Sequence, residues 1–262
     1  MTDTEAFFDI DNMPDPLHDQ LKAVVRQHSN AHPRGQQRTL GPSEVGHPCT
    51  RKMVQSLMFG SGQTHGGSHI NPPGDPLPSY IGTAAHARFE EAVELDNERR
   101  EAAGLDHRWI SERKVHVRED LSGTCDLYDE ETETVIDLKF PGATAMNIYK
   151  KEGPSPEYRT QAHLYGAGYI NEGYPVRRVG IWFLPRGGQL SSAHLWLEDY
   201  DQTVVDEVLT RIDLARNIID SLDVQAHPDR LKFVPTTPHH CAWCPYWTPV
   251  PHQDPTACPG DS

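Results

Sequence analysis

Two neighbouring segments, SGTCDLYD (122–129) and TVIDLKF (134–140), constrain this 262-residue chain more than anything else in it. Both are rich in apolar and β-branched residues, and the acidic stretch between them is turn-forming, so the pattern predicts two paired strands. Side chains alternate along a strand, which puts Asp137 and Lys139 on one face and Ile136, Leu138 and Phe140 on the other. An acid and a base interrupting an apolar strand are costly to bury unless a partner charge or a bound cation compensates. A hard cation such as Mg²⁺ takes carboxylate oxygens, water and substrate phosphate, and Asp126 and Asp137 can supply the carboxylates once their strands pair. Lys139 then faces the reacting phosphate.

The remaining pattern fixes a fold class. A serine cap at Ser43 and the spacing of Met53, Leu57 and Met58 predict a short helix, with Cys49 near its start. Residues 59–79 are dense in Gly, Pro, Ser and His and read as a mobile excursion. Ile81, Ala85, Phe89, Ala92, Val93 and Leu95 share one face of a helix of about 20 residues that ends at Gly104 and carries His86. Strands at 109–117, 121–128 and 134–140 form a meander, followed by a helix at 157–171, strands at 179–184 and around 194–197, and a helix at 204–222. That order suits a mixed α/β (α+β) fold, a central mixed sheet flanked by helices, better than a doubly wound parallel one. The expected organisation is an N-terminal arm (1–42), a core (43–235) and a C-terminal cysteine module (236–262).

Composition narrows the function classes. Hydrophobic residues make up 36% of the chain, the mean hydropathy is −0.64, and no apolar run approaches the roughly 20 residues that cross a bilayer. The acidic N-terminus is unlike a signal peptide, so a cytoplasmic location is expected. A formal net charge of −14 argues against indiscriminate binding to nucleic acid. Residues 21–60, however, carry Lys22, Arg26, Arg34, Arg38, Arg51 and Lys52 against Glu44 alone, and residues 141–190 are also net basic. These excesses are either ordinary surface charge or the footprint of a nucleic acid.

Gly123-Thr124-Cys125-Asp126 followed by Ile136-Asp137-Leu138-Lys139 resembles the signature of the PD-(D/E)XK nuclease superfamily. Two further elements resemble its RecB-like exonuclease branch: the helical histidine in Gly82-Thr83-Ala84-Ala85-His86, and Gln161 with Tyr165 in a Q-x-x-x-Y arrangement. Each is weak alone, but all occur once, in order, on the expected elements. The resemblance implies a restriction-endonuclease-like core, catalysis by Asp126, Asp137, Lys139 and His86, and Mg²⁺ or Mn²⁺ held by His86, Asp126 and Asp137. It implies DNA contacts from Gln161 and Tyr165, and exonucleolytic hydrolysis of single-stranded DNA or DNA ends in recombination, replication or end processing, in phage or bacterial settings. Glu112, on the preceding strand, is either an acidic neighbour of the metal or a surface residue. A non-catalytic DNA-binding or assembly protein on the same fold is the alternative; the intact acidic residues weigh against it.

Five cysteines in a cytoplasmic chain point to metal ligation before disulfides. Cys241 and Cys244 form a C-x-x-C pair, with Cys258 after them and Cys49 far upstream. One cysteine before the core and three after it resembles the iron-sulfur subset of the RecB-like branch, including CRISPR-associated and phage members, which implies a 4Fe-4S cluster. Arg51 and Lys52 resemble the basic residues that follow the first cysteine in that subset, and are expected to contact DNA. The gap between Cys244 and Cys258 is longer than in the family, so zinc held by three cysteines and His239, His240 or His252 is the competitor. Cys125 faces away from Asp126 and reads as a small buried hydrophobe.

Overall fold

The computed structural model describes residues 16–31, 40–60, 70–71, 74–250 and 252–260. Most of the expected 59–79 excursion lies outside these residues. Five strands, β1 (Trp109–Arg118), β2 (Leu121–Asp129), β3 (Thr134–Lys139), β4 (Arg178–Phe183) and β5 (His194–Asp199), form one sheet in sequence order. β1, β2 and β3 are a meander of antiparallel neighbours, β3 and β4 run parallel, and β4 and β5 are antiparallel. The parallel pair needs a crossover, provided by α5 (Ala143–Glu152) and α6 (Pro156–Asn171). This is the mixed sheet flanked by helices that the element order predicts.

α6 is the central helix. Ser155 caps it by accepting the Tyr158 N–H, Pro156 occupies its first turn, and every residue from Thr160 to Tyr169 is buried. It lies so close to the sheet that a Cβ on Gly168 would come within 2.6 Å of the Val115 side chain. Val115, Cys125, Val135, Val179, Ile181 and Phe183 pack beneath it on one face of the sheet. α7 (Gln202–Leu222) closes this side through Val205, Val208, Ile212 and Ala215, which also pack against Met53 and Val54. On the opposite face, α4 (Leu77–Ala102) sets Val93 and Phe89 against Leu127, Leu138 and Trp182. No helix among the described residues is long and apolar enough to cross a membrane.

The helix expected from Ser43 is two helices, α2 (Pro42–Val45) and α3 (Thr50–Phe59). Pro48 lies between them, and a proline disfavours helical backbone in the residue before it. Cys49 is thereby the N-cap residue of α3. Two helices escape the periodicity reading: α1 (Pro16–Ala31), within the expected arm, and α5. α1 leaves Leu17, Leu21 and Val24 exposed, so it has no core-facing stripe of the usual kind.

Candidate active site

The site forms where β2 and β3 part. Their pairing ends at Leu127 and Ile136, one residue before Asp126 and Asp137 come level. Beyond that point the Leu138 N–H finds the Asp126 carboxylate instead of a strand partner, and donates to its Oδ2 at 2.6 Å. Asp126 lies on the α4 side and Asp137 on the α6 side, yet both line one cavity of 340 Å³, with His86, Lys139, Gln161, Tyr165, Gly123 and the Gly41–Glu44 segment. Gly123 is required here: a Cβ would come within 2.7 Å of Pro42 and 3.1 Å of the Tyr165 ring.

Asp137 is almost fully buried and held from two directions. Its Oδ1 accepts from Gln161 Nε2 at 3.0 Å, and its Oδ2 lies 2.7 Å from Lys139 Nζ. Gln161 in turn accepts from Lys139 at 3.0 Å and lies 3.3 Å from the Tyr165 hydroxyl. The Lys139 ammonium also sits 4.8 Å from the centre of the Tyr158 ring, a cation–π arrangement. Burial pushes the Asp137 carboxyl up to about 6, with Lys139 opposing and the nearby Asp126 adding to the rise.

Ligand-type atoms of His86 and Asp126, which line the cavity, and of Glu112, which lies beside it, are all within 4.8 Å of one another. Among the described residues His86 Nδ1 is buried without a hydrogen-bond partner, although Asp126 Oδ1 is only 3.3 Å away. Two adjacent ligands of an octahedral ion with bonds of about 2.1 Å stand about 3 Å apart, so this spacing fits donors that share a cation. Asp137 lines the same cavity but stands outside that three-residue group.

Glu112 is the residue that patterning leaves open. The register 111 with 127 and 113 with 125 sets it opposite Asp126 across β1 and β2, and its backbone is left-handed, at φ 44°. Left-handed backbone is uncommon for a residue with a long side chain and recurs at functional sites. No periodicity in the sequence announces it.

Cys49, Cys241, Cys244 and Cys258 line one small cavity with His47, Lys52 and His239. Burial raises the Cys244 and Cys258 thiols, and each is raised further by neighbouring thiols of the same group. Cys125 lies elsewhere, fully buried under α6, with its thiol pushed well up by desolvation and by Asp126. Arg51 is buried and donates to the Ala257 carbonyl at 3.0 Å, which places it at the cysteine module and away from the Asp126 cavity. Lys52 also borders a 370 Å³ cavity that meets the Asp126 cavity at Ser43 and Glu44. Gln161 and Tyr165 sit inside the carboxylate network on α6. Of the aromatic residues near the C-x-x-C pair, Tyr246 is fully buried and Trp243 is exposed. His239 pairs with Glu157. His240 and His252 do not line the cysteine cavity.

No protein-family model and no curated protein matches the sequence. Among solved structures the chain is similar to an alkaline exonuclease, LHK-Exo from Laribacter hongkongensis, at 11% identity and a TM-score of 0.42 over 76% of this chain and 97% of that one. The same exonuclease in complex with dAMP gives 14% identity and a TM-score of 0.47 over 76% and 96%. A phage-related exonuclease from Haemophilus somnus 129PT gives 17% and 0.43 over 68% and 82%.

Proposed function

We propose that this chain is a divalent-metal-dependent deoxyribonuclease that removes nucleotides from single-stranded DNA or from DNA ends. The observation that carries the reading is the meeting, in one cavity, of His86 and Asp126, which form a donor group with the neighbouring Glu112, and the buried Asp137 and Lys139 pair. Carboxylate and imidazole donors suit Mg²⁺ or Mn²⁺, the imidazole favouring the softer Mn²⁺. When bound, such a cation polarises the scissile phosphate and lowers the pKa of the attacking water.

The residues around it divide the remaining work. Lys139 carries a positive charge to the cavity wall, where it can neutralise charge developing on a phosphate oxygen. Gln161 keeps that ammonium in place by accepting from it while donating to Asp137, so one amide fixes both members of the pair. Tyr165, within reach of the Gln161 amide, limits its rotation. Lys52, beyond Ser43 and Glu44, offers a cation to the backbone of a strand that extends past the site.

The cysteine module fits a metal-thiolate centre that anchors the C-terminal segment to α3. A 4Fe-4S cluster is the favoured occupant, from the order of one cysteine before the core and three after it; zinc is the competitor. Visible absorption and metal analysis of protein purified without oxygen separate them, because an iron-sulfur centre is coloured and zinc is not.

Incubation of the purified protein with end-labelled single-stranded DNA and Mn²⁺ tests the nuclease reading. Progressive shortening by the wild type and none by a folded Asp137→Ala variant is expected. Binding without shortening would instead favour a DNA-binding assembly protein.

A further inference from the structure

Behind the metal-binding cluster, a cavity of 820 Å³ lies between α1, the N-terminal half of α4 and the end of β3. It shares His86 and Lys139 with the 340 Å³ cavity, so both border the same candidate catalytic groups. Its walls carry three aromatic side chains, Tyr80, Phe140 and Tyr158, and Gly82 and Ala84 leave room between them. His28 of α1 meets the Tyr80 ring edge-on at 5.6 Å, while Phe140 meets His86 in the same way at 5.2 Å. Ser29 Oγ, buried and without a hydrogen-bond partner among the described residues, lines the same space.

The charge of this lining is unlike that of the chain. The protein carries a net charge of −14, yet no aspartate or glutamate is among the described residues that line the cavity. Aromatic rings with a lysine and no carboxylate are the composition of a surface on which the bases of an unpaired strand stack. At 820 Å³ the space is of a size to take a small ligand such as a nucleotide.

We infer that this cavity binds a base of a single DNA strand, stacked on Tyr80, next to the phosphate presented to the metal-binding cluster. The inference rests on the nuclease reading and deepens it, since it makes an unpaired strand the species that enters the site. Tyr80 would act through its ring alone. It is 40% exposed, so its truncation leaves the core intact.

The test compares binding of a fluorescent ten-residue thymidine strand with that of the same strand carrying abasic sites, in EDTA and again with Ca²⁺. The wild type should hold the thymidine strand about tenfold more tightly. Tyr80→Ala should lose that preference and Tyr80→Phe should keep it, with thermal melting and Mn²⁺ affinity unchanged in both. Equal binding of the two strands by the wild type, or a preference that survives in Tyr80→Ala, would overturn the inference. A wild-type protein that binds neither strand and no Mn²⁺ would sink the nuclease reading itself.

Discussion

The Asp126 carboxylate accepts the backbone N–H of Leu138 at 2.6 Å, in the gap where β2 and β3 cease to pair. One oxygen thereby holds the site open, and the other, 3.3 Å from His86 Nδ1, is left to the cavity. Structure and chemistry are thus divided between the two oxygens of one side chain.

This division separates two substitutions. Asp126→Ala orphans a buried N–H and should cost about 1–3 kcal/mol in urea unfolding measured without metal. Asp126→Asn keeps an acceptor for that N–H, so it should unfold close to the wild type while losing Mn²⁺ binding and cleavage. Similar unfolding midpoints for the two variants would show that the Leu138 contact contributes little.

Glu112 sets stability against function. A non-glycine residue in left-handed backbone costs about 1–3 kcal/mol, more than the roughly 0.5–1 kcal/mol that glycine costs in a strand. Glu112→Gly should therefore melt at or above the wild-type temperature in EDTA. Its Mn²⁺ affinity, read by calorimetry, should fall about tenfold or more. A variant that melts lower and binds Mn²⁺ as before would show that Glu112 is structural.

Asp129 governs part of the acid limb of stability. Burial works against its ionisation, but hydrogen bonds from Arg108, at 2.9 and 2.7 Å, and from Thr132 outweigh it, and the carboxyl is held below its usual value of 3.8. A depressed carboxyl contributes stability that is fully present above pH 3.8 and is lost as the pH falls through the folded value. Asp129→Asn should cost about 2 kcal/mol at pH 7, less than a fully buried pair because Arg108 is partly solvated. Its melting temperature should also vary less with pH below about 4 than that of the wild type.

Cys49→Ser tests the module that joins the two ends. Loss of the metal proposed for this module should lower the melting temperature by about 2–4 °C for each kcal/mol forfeited in a chain of this size. The contacts that remain, Arg51 with Ala257 and Tyr246 with the Gly60 carbonyl, should keep the segment docked at low temperature. Metal analysis and melting curves on the same preparation check both expectations.

Alternation along β3 was legible in the sequence because it depends on local geometry that repeats every two residues; the face expected for α4 was only partly right, since Phe89 and Val93 pack on the sheet but Leu95 is exposed and Asn97 is buried instead. Alternation and strand pairing pointed to Asp126, Asp137 and Lys139, whereas His86 rested on the resemblance to the RecB-like branch; the meander of β1 to β3 was read, but the parallel place of β4 beside β3 was not. α5 and α1 were not legible, since each leaves apolar residues such as Ile148 or Leu21 exposed and so lacks a clean period. The roles of neighbours also escaped: Arg51 reads as a basic residue beside a cysteine, and only its burial against the C-terminal segment turns it into a strut.

What the chain determined by itself is which residues share a face of its strands, because backbone stereochemistry imposes that alternation wherever the strand sits. What only the tertiary structure decided is the convergence: the parting of β2 from β3, the left-handed turn that brings Glu112 towards His86, and the approach of residue 49 to residues 241, 244 and 258. These depend on packing between segments distant in sequence, where the free energy comes from buried area and satisfied polar groups that no local pattern records.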